Sequence, residues 1–110
     1  MMYVPGTFWT AAHHGIPLLS VMHNNRGYHQ EFMHLQRMAA RRQRGVDGSS
    51  HVGNELNNPP IDFAKMTESM GVWSEGPITN PKDIRPALTR ALDVIDSGEP
   101  ALVDIVCQPR

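Results

Sequence analysis

Apolar positions along the chain fall by turns into helical and strand spacing. Phe8, Ala11 and Ala12 recur at i, i+3, i+4 and predict a short helix over Thr7–His14, ended by Gly15. Leu18–His23 is apolar on both faces, the pattern of a buried strand in a parallel sheet. From Tyr28 to Arg42 a stripe of Phe32, Leu35, Met38 and Ala39 predicts a helix, with Arg37, Arg41 and Arg42 on its solvent side. Gly45–Pro60 is rich in Gly, Ser, Asn and Pro and reads as a loop long enough to cover a site.

Asp62 then caps a helix to Met70, with Phe63, Met66 and Met70 as its stripe and Gly71 as its stop. Val72–Ser74 begins a short strand. Asn80-Pro81 supplies a cap and a first helical residue, and Ile84, Leu88, Ala91, Leu92 and Ile95 share a face as far as Gly98. Pro86 removes one hydrogen bond of that helix, near its start where the damage is small. Ala101–Cys107 is an apolar strand broken by one acid, Asp104. The alternation predicts an α/β fold, a partial three-layer α/β/α parallel sheet with right-handed crossovers, in one domain spanning residues 1–110. The order opens on a helix with no strand to feed it, so the chain is expected to begin inside a longer domain.

A formal charge of −1 argues against a general nucleic-acid or membrane-surface binder. The one local exception is Arg37, Arg41, Arg42 and Arg44, read as a solvated face or a subunit contact. A single cysteine, Cys107, excludes an internal disulfide and suits a cytoplasmic setting. No apolar run approaches the ~18 residues of a membrane helix.

The candidate chemistry lies where the first strand ends, at His23-Asn24-Asn25-Arg26-Gly27-Tyr28. In an open α/β sheet, ligands bind beyond the carboxyl ends of the strands. Amide and main-chain oxygens there are hard ligands of the kind Mg²⁺ takes beside a phosphate. Taken alone, Asn-Asn-x-Gly is also the composition of an ordinary turn. The histidines form no ligand set: His13 and His14 are adjacent on a helix, and His29 and His34 are five apart.

The ordered set Trp9–Pro17, Val21–Tyr28, Ile61–Met66, Met70-Gly71 and Gly98–Val106 resembles the C-terminal domain of thiamine-diphosphate enzymes. The branch is that of acetolactate synthase, benzoylformate decarboxylase and pyruvate decarboxylase. The resemblance implies thiamine diphosphate and Mg²⁺ as cofactors, and a 2-keto acid as substrate of the parent enzyme. It assigns the Asn25 side-chain oxygen and the Gly27 carbonyl to Mg²⁺, and Asn25, Arg26, Gly27 and Tyr28 to the cofactor site. The family's Gly-Asp-Gly, whose aspartate also binds the metal, does not occur in this chain. Weak cofactor affinity and no activity alone are therefore expected, in a parent that is homo-oligomeric.

Glu31 lies six residues after Asn25, where 2-keto-acid decarboxylases carry a substrate-side glutamate. A partly buried carboxyl there would relay protons; from the helix alone, Glu31 reads as a solvated residue. Two other readings stay open. One is a non-catalytic fragment or small subunit acting by protein association, and the other is a generic flavodoxin-like phosphate-binding domain.

Overall fold

Every segment with helical or strand spacing takes that form in the computed structural model, which describes residues 1–45 and 48–108. In chain order the elements are α1 (Gly6–His13), β1 (Leu19–Asn24), α2 (His29–Arg41), a 3₁₀ turn (Gly48–His51), α3 (Phe63–Glu68), β2 (Trp73–Ile78), α4 (Pro81–Asp96) and β3 (Ala101–Val106). Caps set two of the starts. The Asp62 carboxylate accepts from the Lys65 amide at 2.9 Å, and the Asn80 amide oxygen accepts from the Lys82 amide at 3.2 Å. Val46 and Asp47, inside the predicted loop, lie outside the described residues.

Contacts divide the chain into two units. One is Met1–Asn24 with Asp62–Val106; the other is Asn25–Ile61 with the chain end from Cys107. The first unit holds a parallel sheet in the order β1-β3-β2, on which α3 and α4 pack. Met22 of β1 lies level with Asp104, and Trp73 of β2 with Ala101. The core is small: Ile78, Ala87, Ala91, Ala101 and Val103 are buried together, flanked by Leu19, Trp73, Ile84, Leu88, Val94, Ile95 and Ile105.

Three expectations need correction. β1 is not a buried strand. It lies at the sheet's edge with β3 on one side only, so Val21 remains 49 % exposed. The buried face of α4 runs through Ala87 and Ala91 while Leu92 is half exposed, because small side chains let the helix lie close on the sheet. The buried face of α3 is Phe63, Ala64 and Thr67 rather than Phe63, Met66 and Met70. Thr67 is tolerated there because its hydroxyl is satisfied, bonding to the Phe63 carbonyl at 2.9 Å and to Ser74 Oγ at 2.7 Å. β2 begins where a strand is expected to start and runs on through Gly76-Pro77 to Ile78. Pro77 has no N–H to offer a ladder, which an edge strand with an irregular register accommodates. Gly76 has φ +141° and sits so close to β3 that a Cβ would lie 2.6 Å from the Asp104 carbonyl oxygen.

The second unit carries α2, the 3₁₀ turn and the segment that follows it. None of the α2 stripe is fully buried, and Leu35 is largely exposed. Phe32 packs on His51, with ring centroids 4.4 Å apart.

Candidate functional site

The chain leaves β1 at Asn24, which is buried, and its side-chain amide donates to Asp104 Oδ2 on β3 at 3.4 Å. Both residues lie toward the carboxyl ends of neighbouring strands. Asp104 is wholly buried, and a carboxylate in such a place needs hydrogen-bond donors. The sequence signal for this pair is an acid inside an otherwise apolar strand; its partner on β1 was not predicted.

Beyond Asn24 the backbone reverses. Arg26 takes φ 58°, the left-handed region that few non-glycine residues enter. Asn25 closes the turn through its side chain, Oδ1 accepting from the Gly27 amide at 3.3 Å. Gly27 then pairs antiparallel with Glu55. The bonds of that pair are made by its neighbours: Tyr28 N–H donates to the Asn54 carbonyl and Leu56 N–H to the Arg26 carbonyl, each at 2.8 Å.

In an antiparallel pair bonded this way, the central residues turn their own N–H and C=O away from the partner strand. The Gly27 carbonyl therefore faces outward, on the edge where its N–H meets Asn25 Oδ1. Two neutral oxygens, one side-chain and one main-chain, thus share the outer edge of a turn whose inner edge is pinned. An amide oxygen has a second lone pair beyond the one used by Gly27 N–H. This donor set suits a small hard cation. Among the described residues no group of three or more His, Cys, Asp or Glu side chains is placed to hold a metal.

Gly27 is required by contact rather than by φ. A Cβ on it would lie 2.8 Å from the Asn54 carbonyl oxygen. The strap from Asn54 to Leu56 went unpredicted, because it binds through main-chain groups and has no strand alternation. It is built from the turn before it: Asn54 N–H donates to the His51 carbonyl at 3.0 Å, and Asn54 Nδ2 to the Ser50 carbonyl at 2.9 Å. His51 Nδ1 meets Glu55 Oε1 at 2.6 Å.

The other predicted site residues have distinct settings. Arg26 is exposed and Tyr28 half-buried, and both belong to the pinned turn. Glu31 is exposed in the first turn of α2, without the partial burial expected of a proton relay. His13 and His14 stack edge to face at 4.8 Å beside Trp9, as a helix end rather than a ligand pair. Cys107 is half-buried. No described helix is long and apolar enough to cross a membrane.

Comparison with curated proteins and with solved structures finds no match. The family model for the thiamine pyrophosphate enzyme, C-terminal TPP binding domain, matches residues 1–105. With the α/β sheet and the turn at its strand end already in place, the chain belongs to the thiamine pyrophosphate enzymes, as their C-terminal cofactor-binding domain.

Proposed function

We propose that this chain holds Mg²⁺ through Asn25 Oδ1 and the Gly27 carbonyl, and through that ion the diphosphate of thiamine diphosphate. The parent activity is decarboxylation or carboligation of a 2-keto acid, in the branch of acetolactate synthase, benzoylformate decarboxylase and pyruvate decarboxylase. The observation that carries the reading is the shared outward edge of the two oxygens in the Asn25–Tyr28 turn. Both are neutral, so neither repels an anionic diphosphate. Arg26 adds a positive charge beside it. Tyr28, fixed by its N–H to Asn54, borders the cofactor. When bound, the cofactor supplies an electron sink next to the keto carbon. Glu31, assigned to the substrate side, presents an exposed carboxylate in the first turn of α2.

Two neutral oxygens are few for an ion that demands six. The chain alone is therefore expected to bind the Mg²⁺ complex of thiamine diphosphate weakly, on the order of millimolar, and to turn over no substrate. The test is a titration followed by amide chemical shifts. Shifts centred on Asn25–Tyr28 that vanish in Asn25→Ala support the reading; shifts elsewhere, or shifts indifferent to Asn25→Ala, reject it. Micromolar or tighter affinity rejects the argument from the number of ligands.

The cytoplasmic setting and a homo-oligomeric parent belong to the same proposal. Analytical ultracentrifugation of a full-length relative carrying this domain tests the second.

A further inference from the structure

Away from the Asn25–Tyr28 turn, the second unit contains a half-open cavity of about 370 Å³ between the second half of α2 and the 3₁₀ turn. Leu35, Met38 and Ala39 supply its apolar lining, with Gln36, Arg42 and Arg44 as its long polar side chains. None of Arg37, Arg41, Arg42 and Arg44 makes an ion pair among the described residues. In a chain with an overall charge of −1, Arg42 and Arg44 thus bring two positive charges to one largely apolar cavity.

We propose that this cavity binds a nucleoside monophosphate. A flat base suits a lining of Leu, polarisable Met and Ala, and the Gln36 amide offers both a donor and an acceptor to a base edge. Guanidinium groups hold phosphate through two parallel hydrogen bonds, which gives Arg42 and Arg44 the anionic end. The volume lies low in the ~300–1,000 Å³ range of ligand pockets, which favours a monophosphate over a dinucleotide. No residue of Asn25–Tyr28 lines the cavity, so this site stands or falls separately from the cofactor turn.

The experiment is calorimetry on the 110-residue chain with AMP as the probe, and with adenosine and inorganic phosphate as its halves. AMP is expected to bind at least about ten-fold more tightly than either half. Arg42→Gln and Arg44→Gln are each expected to weaken it by about ten-fold or more, the loss of a charge-assisted bond. Raised salt weakens it further, and Asn25→Ala leaves it unchanged. Should a glutamine variant lose its folded amide spectrum, Arg42→Lys and Arg44→Lys replace it; they keep the charge, lose the fork, and are expected to bind several-fold more weakly. Three results overturn the proposal: AMP no tighter than phosphate, AMP no tighter than adenosine, or wild-type affinity in the arginine variants.

Discussion

Gly27→Ala is the sharpest perturbation of the candidate site. The added methyl carbon would lie 2.8 Å from the Asn54 carbonyl oxygen, 0.6 Å short of the 3.4 Å at which ordinary contact begins. The obstacle is backbone, not the end of a flexible side chain. That same oxygen accepts from Tyr28 N–H at 2.8 Å. Moving it outward by about 0.6 Å stretches the bond past the ~3.2 Å limit of an N–H···O interaction, and the Leu56-to-Arg26 bond of the same bridge opens with it. Each bond contributes about 0.5–1.5 kcal/mol net. Losing both costs about 1–3 kcal/mol of local stability, or roughly a five- to hundred-fold larger open population. Amide hydrogen exchange resolves this directly. Tyr28 and Leu56 should exchange faster by about that factor, while the amides of β3 keep their protection and exclude global unfolding. If the proposed reading holds, affinity for the Mg²⁺ complex of thiamine diphosphate should fall in step, because the carbonyl assigned to the ion belongs to the residue being displaced. Unchanged exchange at Tyr28 and Leu56 would refute the clash, and with it the strap as the support of the turn.

Gly76→Ala places a methyl 2.6 Å from the Asp104 carbonyl oxygen at φ +141°, a conformation L side chains rarely adopt, and should cost about 3 kcal/mol or more. An unchanged urea midpoint would contradict it. Thr67→Val removes a fully buried hydroxyl bonded to the Phe63 carbonyl and Ser74 Oγ, and should cost about 1–2 kcal/mol in the same assay. Glu75 is held below the ordinary carboxylate range by hydrogen bonds from Arg90, which outweigh the opposite pull of partial burial. Its contribution to stability is therefore present above the ordinary carboxylate pKa and lost as pH falls through the lowered value. The difference in unfolding midpoint between wild type and Glu75→Gln should exist at neutral pH and shrink in acid; an equal difference at both pH values would assign the effect to something other than this ion pair.

The elements were legible because their signals are local. Asp62 and Asn80 cap the helices they were expected to cap, and the run Leu19–Asn24 pairs as a strand one residue displaced from its expected span. What failed was whatever depends on neighbours in space. Apolar side chains on both faces of β1 fit a central strand and an edge strand equally well, and only the order β1-β3-β2 decides which faces stay wet. Thr67 breaks the apolar stripe of α3 yet is wholly buried, since its hydroxyl finds partners one turn back and on β2. No spacing rule anticipates a partner on another element.

The candidate site divides along the same line. Asn25 and Gly27 stand out in the sequence because they match the family's motif, and the structure brings them into one turn, the Gly27 amide donating to Asn25 Oδ1. The strap was not found, because Asn54, Glu55 and Leu56 act on the turn through N–H and C=O groups that every residue but proline carries. Their one trace in the sequence is indirect: Gly27 needs to be glycine because the Asn54 carbonyl occupies the space of its side chain. The φ of Gly27 lies outside the left-handed region, so turn chemistry does not require glycine there; the strap does. A substitution series at Gly27 separates the two demands. If positive φ were the constraint, Asn would be tolerated at position 27; if the Asn54 oxygen is the constraint, Asn fails as badly as Ala, and shortening the strap rather than changing the turn restores the fold of the site.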